Sequence, residues 1–80
     1  MRRIYYRFKR NRACWGKMYP GSRRIDLDPS MDDNTLLEIA LHEGLHVLFP
    51  IIDEQEIDNA GKALADLLLR LGYRRKDEDE

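Results

Sequence analysis

The chain has 80 residues, with 14 Lys or Arg and 15 Asp or Glu, and this length suits one small domain near the lower limit for a single hydrophobic core. Its single cysteine excludes an intramolecular disulfide, and no stretch approaches the roughly 18 apolar residues of a transmembrane helix. The basic N-terminus lacks the apolar segment of a signal peptide, so we expect a cytoplasmic protein without membrane association.

The charges are distributed unevenly along the chain. Residues 1–24 carry nine of the basic residues and no acid, whereas every Asp and Glu lies from Asp26 onward. A basic segment of this kind is a candidate surface for nucleic acid. Pairing with the acidic remainder of the chain explains the same distribution, and we favour this second interpretation.

The N-terminal third of the chain predicts three short strands. Residues 4–8 are rich in β-forming side chains, and a polar run suited to a turn follows them. Residues 13–19, interrupted by a glycine, form a second candidate strand. The turn signal Pro20-Gly21-Ser22 then leads into a third strand at 23–27. We expect these strands to form a small antiparallel sheet.

The first predicted helix runs from about Asp32 to Phe49, and Pro50 stops it. The residues at 30–33 have the form of a capping box, with acids in the first turn that complement the helix dipole. The helix is apolar on almost all sides, which predicts that most of its surface is buried. Its polar stripe consists of Thr35, Glu38, His42 and His46, with Glu43 at its margin.

The second predicted helix begins after Asp53, which has capping-box spacing to Glu56, and Gly72 closes it. Its expected apolar face consists of Ile57, Ala60, Leu64, Leu67, Leu68 and Leu71. Few residues join the two helices, so we expect an antiparallel hairpin. The predicted fold is therefore α+β: a small antiparallel sheet of about three strands packed on a two-helix hairpin. It forms a single domain over 1–73, followed by a charged disordered tail at 74–80.

His42-Glu43-Gly44-Leu45-His46 is the HExxH pattern, which indicates a zinc site when it lies on a helix. Two imidazoles one turn apart lie about 6 Å from each other on one face, so both can bind one tetrahedral cation. Zinc lowers the pKa of a water molecule to about 7, and Glu43 is placed to take its proton. An incidental His pair is the alternative. The concentration of these residues on the polar stripe of a buried helix favours the metal site.

Two histidines need a third ligand from elsewhere in the chain. The helical hairpin brings the start of the second helix near His46, where Glu54 and Asp58 lie one turn apart on the inward side. We predict that His42, His46 and Glu54 are the metal ligands, with Asp58 as the second choice for the third. Glu54 could instead be a favourable acid in the first turn of its helix.

Four segments of the C-terminal half match a known pattern: His42–His46, Pro50, Asp53-Glu54 and Leu71-Gly72-Tyr73-Arg74. With them this half resembles the gluzincin-type zincin metallopeptidases, in particular the very short HExxH proteins of phages and prophages. The resemblance implies two His ligands, a Glu ligand, a Glu general base, zinc as cofactor and the host bacterial cytoplasm as location. The chain departs from the family in the short spacing from His46 to Glu54, and Ile52 stands where metzincins have a third His.

The sequence therefore predicts a zinc-dependent metallopeptidase-like protein that hydrolyses a peptide or protein substrate, with Glu43 activating water for attack on the carbonyl. The alternative is a non-catalytic, zinc-stabilised phage module that binds nucleic acid or a protein partner. Binding that depends on the basic N-terminal residues and persists in Glu43→Gln would favour the module.

Two further expectations concern the substrate of the predicted hydrolase. Tyr19, Tyr73 and Arg24 are candidates for the partner of the developing oxyanion. No second subdomain is available to wall a deep cleft, so a substrate must lie across the face of the domain. We expect it to add as a strand alongside residues 23–27.

Overall fold

The structure is a computed structural model and describes residues 1–11 and 13–75. Three strands precede two helices: β1 (Tyr5–Phe8), β2 (Gly16–Met18), β3 (Arg24–Leu27), α1 (Asp33–Leu48) and α2 (Glu54–Arg70). The α+β class, the three strands and the packed pair of helices are confirmed. Neither helix combines the length and the apolar character that a membrane crossing requires.

The sheet is mixed, not fully antiparallel as predicted. Its strand order is β1-β3-β2, and β3 pairs in parallel with β1 and antiparallel with β2. β2 and β3 form a hairpin, in which Gly21 adopts a φ of 81° that favours glycine. β1 cannot pair with β2 because β3 lies between them. β3 takes the central place since its residues 25–27 are all buried.

The central position of β3 rules out the predicted strand addition alongside residues 23–27. Both edges of β3 are already hydrogen-bonded to neighbouring strands. Within the described residues, the free edges of the sheet belong to β1 and β2. An extended substrate would therefore have to pair with one of these two strands.

The core lies between one face of the sheet and α1. Its buried residues are Ile25, Leu27, Met31 and Leu36, with Ile4, Phe8, Met18, Ile39, Ala40 and Val47 packed against them. Of the three strands, α1 packs most closely on β2 and β3. We call the side of the sheet that faces α1 the inner face and the opposite side the outer face.

The N-cap of α1 is Asp32, whose carboxylate accepts a hydrogen bond from the Thr35 backbone N–H at 2.7 Å. The capping box predicted at 30–33 is displaced, because the Ser30 hydroxyl donates instead to Asp28 Oδ1 at 2.7 Å. The helix ends at Leu48, just before Pro50, as the sequence predicts.

The caps of α2 are as predicted. Asp53 accepts from the Glu56 backbone N–H at 2.8 Å, and Gly72 has a φ of 98°. The N–H groups of Gly72 and Tyr73 donate to Leu69 and Leu68, which is the Schellman pattern at a helix end.

The predicted inward face of α2 is wrong for most of its residues, since only Ile57 is buried and Leu68 is half-buried. The buried residues are Ile57, Gly61 and Ala65, whereas Leu64, Leu67 and Leu71 remain 39 to 64% exposed. α2 packs on α1 through its small residues because these allow the two backbones to approach closely.

Only the first residues of the predicted tail are described. Arg75 lies 3.2 Å from the Asp33 carboxylate and donates to the Pro29 carbonyl, and Arg74 donates to the Leu69 carbonyl. Residues 76–80, which complete the tail predicted to be disordered, lie outside the described residues.

Candidate metal centre

His42, His46 and Glu54, the three residues predicted as ligands, converge in the structure. The two imidazoles lie one turn apart on α1, with ring centroids separated by 4.9 Å. Glu54 begins α2 and places one carboxylate oxygen 2.8 Å from His42 Nε2 and the other 2.8 Å from His46 Nε2. One nitrogen or oxygen from each residue lies within 4.8 Å of the other two.

This donor set fits zinc. Zinc binds His nitrogen and carboxylate oxygen at about 2.0–2.2 Å, and catalytic zinc sites use three protein ligands with a fourth position open. Donor atoms around one tetrahedral zinc are then roughly 3.3 Å apart. The separations here, from 2.8 Å to at most 4.8 Å, span that value. Small rotations of three side chains would satisfy one ion.

The three residues differ in how they are held. The histidine side chains are only 16 and 17% exposed, because α1 is packed against both the sheet and α2, whereas the Glu54 side chain is 71% exposed. The imidazoles therefore form the fixed part of the group. Glu54 closes it from the solvent side.

Asp58, the second choice for the third ligand, lies on the other side of the His42 ring. Its Oδ1 is 3.6 Å from His42 Nδ1, and its Oδ2 is 3.0 Å from Lys62 Nζ. A carboxylate beside the nitrogen that faces away from a metal typically fixes the orientation and tautomer of a metal-binding imidazole. The geometry gives Asp58 this supporting position.

Glu43 lies at the edge of the group, with Oε1 3.9 Å from His42 Nε2 and a side chain that is 15% exposed. Burial raises the pKa of its carboxyl above the usual value, and the two histidines oppose that rise. A carboxylate with a raised pKa is a stronger base, which suits proton transfer near neutral pH.

Two glycines to which the sequence analysis gave no packing role bring these elements together. A methyl group on Gly16 would lie 2.5 Å from Ile39 Cγ2 and 3.2 Å from Glu43 Cγ, so β2 can approach α1 only with glycine there. A methyl group on Gly61 would lie 3.4 Å from the backbone nitrogen of His42. A glycine inside a strand or helix pattern is the signal that could have identified both contacts.

The three predicted oxyanion partners lie away from the convergent group. The Tyr19 hydroxyl donates to Asp26 Oδ2 at 2.6 Å on the outer face of the sheet, and Arg24 lies on the same face. Tyr73 lines an apolar groove of about 730 Å³ between β1, the first half of α1 and residues 73–75. None of the residues that line this groove belongs to the metal-binding group.

No family model matches the chain, and neither a curated protein nor a solved structure is significantly similar to it. The function has to be inferred from the chemistry of the site itself.

Proposed function

We propose that the protein binds one zinc ion through His42, His46 and Glu54 and hydrolyses peptide bonds with Glu43 as general base. One observation carries this proposal: the two HExxH imidazoles and a carboxylate from a second helix converge beside the half-buried Glu43. An ion pair alone is a weak reason for this arrangement, since an exposed pair contributes only about 0–1 kcal/mol. A shared cation would stabilise it far more.

The catalytic roles follow from the positions of the side chains. Zinc, when bound, supplies a Lewis acid that polarises the peptide carbonyl and makes water more acidic. Glu43 accepts the proton of the attacking water and then delivers it to the leaving amine as the C–N bond breaks. Asp58 holds the His42 ring in place.

The free edge of β2 is the candidate site for an extended peptide. On either side of β2, the Trp15 carbonyl accepts from the Asp28 N–H and the Tyr19 N–H donates to the Arg24 carbonyl. In an antiparallel pair, every second residue directs its backbone groups toward the partner strand and the residues between them direct theirs away. The N–H and C=O groups of Gly16 and Met18 therefore point away from β3, toward the free edge. Gly16 also lies near Glu43, because a methyl group on Gly16 would be 3.2 Å from Glu43 Cγ. A peptide paired with this edge would run past the general base.

Metal content is the first test. Elemental mass spectrometry of protein dialysed after zinc loading should find about one zinc per wild-type chain, and loss of zinc in His46→Ala and Glu54→Gln. Glu56→Gln is the matched control, because Glu56 is an exposed acid in the same turn of α2. A wild-type chain without tightly bound metal would contradict the proposal.

Hydrolysis is the second test. Zinc-loaded wild type is incubated with a mixture of peptides, and cleavage is followed by mass spectrometry. Glu43→Gln should keep zinc and lose at least about 100-fold in kcat, which is the usual contribution of a general base. Equal cleavage by zinc-loaded Glu43→Gln and wild type would remove Glu43 from its role. Zinc binding without cleavage would leave a structural zinc site.

A further inference from the structure

The outer face of the sheet carries aromatic and basic side chains in two rows. The strand register places Tyr5 beside Arg24 and Arg7 beside Asp26, with Lys17 on the other side of Asp26. Tyr19, which follows β2, completes the first row through its backbone hydrogen bond to Arg24. α1 packs on the inner face, so this surface lies on the side of the sheet opposite to the helix with the metal-binding histidines.

Asp26 is the single acid of these rows, and its carboxylate is already paired with neighbouring side chains. Arg7 Nε and Nη2 donate to its two oxygens at 2.7 and 3.2 Å, and the Tyr19 hydroxyl donates at 2.6 Å. Asp26 is 5% exposed. Three cations, Arg7, Lys17 and Arg24, therefore face one buried carboxylate, and the outer face keeps a positive charge.

Flat groups are available on this surface. Tyr5 is 57% exposed on the edge strand β1. Next to it, the Arg24 guanidinium lies over the Tyr19 ring at 4.6 Å from the centroid, while Lys17 lies 5.2 Å from the same ring. An arginine held over an aromatic ring presents a planar cation, on which a nucleic-acid base can stack.

We propose that the outer face binds single-stranded nucleic acid, with bases stacked on Tyr5 and Arg24 and phosphates held by Lys17 and neighbouring basic residues. An exposed ring beside a stacked guanidinium favours this partner over an acidic peptide, which would need cations but no stacking surface. Unpaired bases are required, since the bases of a duplex are not free to stack on a sheet. This interaction is additional to the proposed hydrolysis and uses none of its residues.

The experiment measures fluorescence anisotropy of labelled oligo-dT and oligo-U, about a dozen nucleotides long, with a matching duplex and polyglutamate as competitors. Tyr5→Ala should weaken binding about tenfold or more, which is the usual effect of losing one stacked base. Tyr6→Ala is the matched control, because Tyr6 is the next residue of β1 and is 66% exposed on the inner face. It should bind like wild type.

A second pair of variants tests the charge. Lys17→Gln, which removes a cation assigned to phosphate, should weaken binding and reduce the slope of log affinity against log salt by about one. Arg70→Gln removes an equally charged exposed residue from α2 and should leave the slope unchanged. Folding of each variant is checked by circular dichroism.

Three outcomes would overturn the proposal. The first is absence of binding at low salt, and the second is equal loss of binding in Tyr5→Ala and Tyr6→Ala. The third is competition by polyglutamate at the same charge concentration as oligo-dT, which would assign the outer face to an acidic protein partner.

Discussion

Gly61 of α2 lies directly against the backbone of His42 in α1: a methyl group on Gly61 would be 3.4 Å from the His42 nitrogen and 3.5 Å from its Cα. This contact sets the separation of the two helices at the level of the metal-binding group. Glu54 and Asp58 precede Gly61 on the same face of α2. The reach of both carboxylates to the imidazoles therefore depends on a residue without a side chain.

Substitutions at Gly61 should distinguish the effect of helix propensity from the effect of the spacing between α1 and α2. Gly61→Ala makes an ordinary van der Waals contact and gains up to about 1 kcal/mol of helix propensity, so zinc binding and stability should be retained or improved. Gly61→Leu must push the helices apart, costing about 1–3 kcal/mol and weakening zinc binding. Urea unfolding and zinc titration measure both effects. Ala63→Leu, at an exposed position of the same helix, is the control and should change neither.

Asp58→Asn tests the supporting position of that carboxylate. Loss of a carboxylate that orients a metal-binding histidine typically weakens metal affinity by about 10- to 100-fold while the stoichiometry stays the same. A chelator competition assay measures the affinity. Lys62→Gln is the control, because it removes the 3.0 Å ion pair of Asp58 and leaves the carboxylate in place. Complete loss of zinc in Asp58→Asn would instead make Asp58 a direct ligand.

Local sequence patterns predicted the parts of this molecule that depend on local chemistry. The cap at Asp53, the helix end at Gly72 and the alignment of His42 with His46 all follow from spacing within one or two turns. The convergence of Glu54 on these imidazoles followed from the short connection between the helices.

The errors arose where tertiary packing decides the structure. Hydrophobic periodicity selected the large side chains of α2 as its inward face, but close packing against α1 used Gly61 and Ala65. Strand patterns gave three strands but not their order, because the parallel pairing of β1 with β3 joins segments far apart in the chain. The same limit hid the outer-face contacts of Asp26, which come from Arg7 on β1 and from Tyr19, the residue after β2.

Gly16→Ala should disturb the contact between β2 and α1. The added methyl group would lie 2.5 Å from Ile39 Cγ2, which is too close for any carbon pair, so the strand or the helix must move. We expect a loss of about 1–3 kcal/mol in the free energy of unfolding. Ile39→Ala removes the opposing methyl group, so the double variant should be more stable than the sum of the two single losses predicts. If the stability losses of the two single variants simply add in the double variant, the strain in Gly16→Ala does not come from the contact with Ile39.

Asp26 should make the protein sensitive to acid. Hydrogen bonds from Arg7, with help from Tyr19, lower the pKa of Asp26 to about 2. Because the folded pKa lies below the unfolded value of about 4, the stabilisation is complete above that value and is lost as the pH falls toward 2. Arg7 is half exposed, so solvent screening limits the contribution to about 1–2 kcal/mol.

Unfolding measured from pH 7 to pH 2 tests this contribution. Asp26→Asn should be less stable than wild type at pH 7, and the difference should shrink below about pH 4. Asp66→Asn removes an exposed acid from α2. Its free energy of unfolding should follow that of wild type over the whole pH range. A constant difference between Asp26→Asn and wild type would show that the residue stabilises the fold without its charge.

Met18 offers a test of strand addition at β2 that separates backbone from side chain. Met18→Ala and Met18→Pro both remove a side chain that packs against the core, but only proline removes the outward N–H. Proline is tolerated at the free edge of a sheet, so both variants should fold with similar loss of stability. If a peptide substrate pairs with β2, Met18→Pro should have about tenfold lower kcat/KM than Met18→Ala, equivalent to one hydrogen bond. Equal kcat/KM in the two zinc-loaded variants would contradict pairing at Met18 and direct the search to β1, the other edge of the sheet.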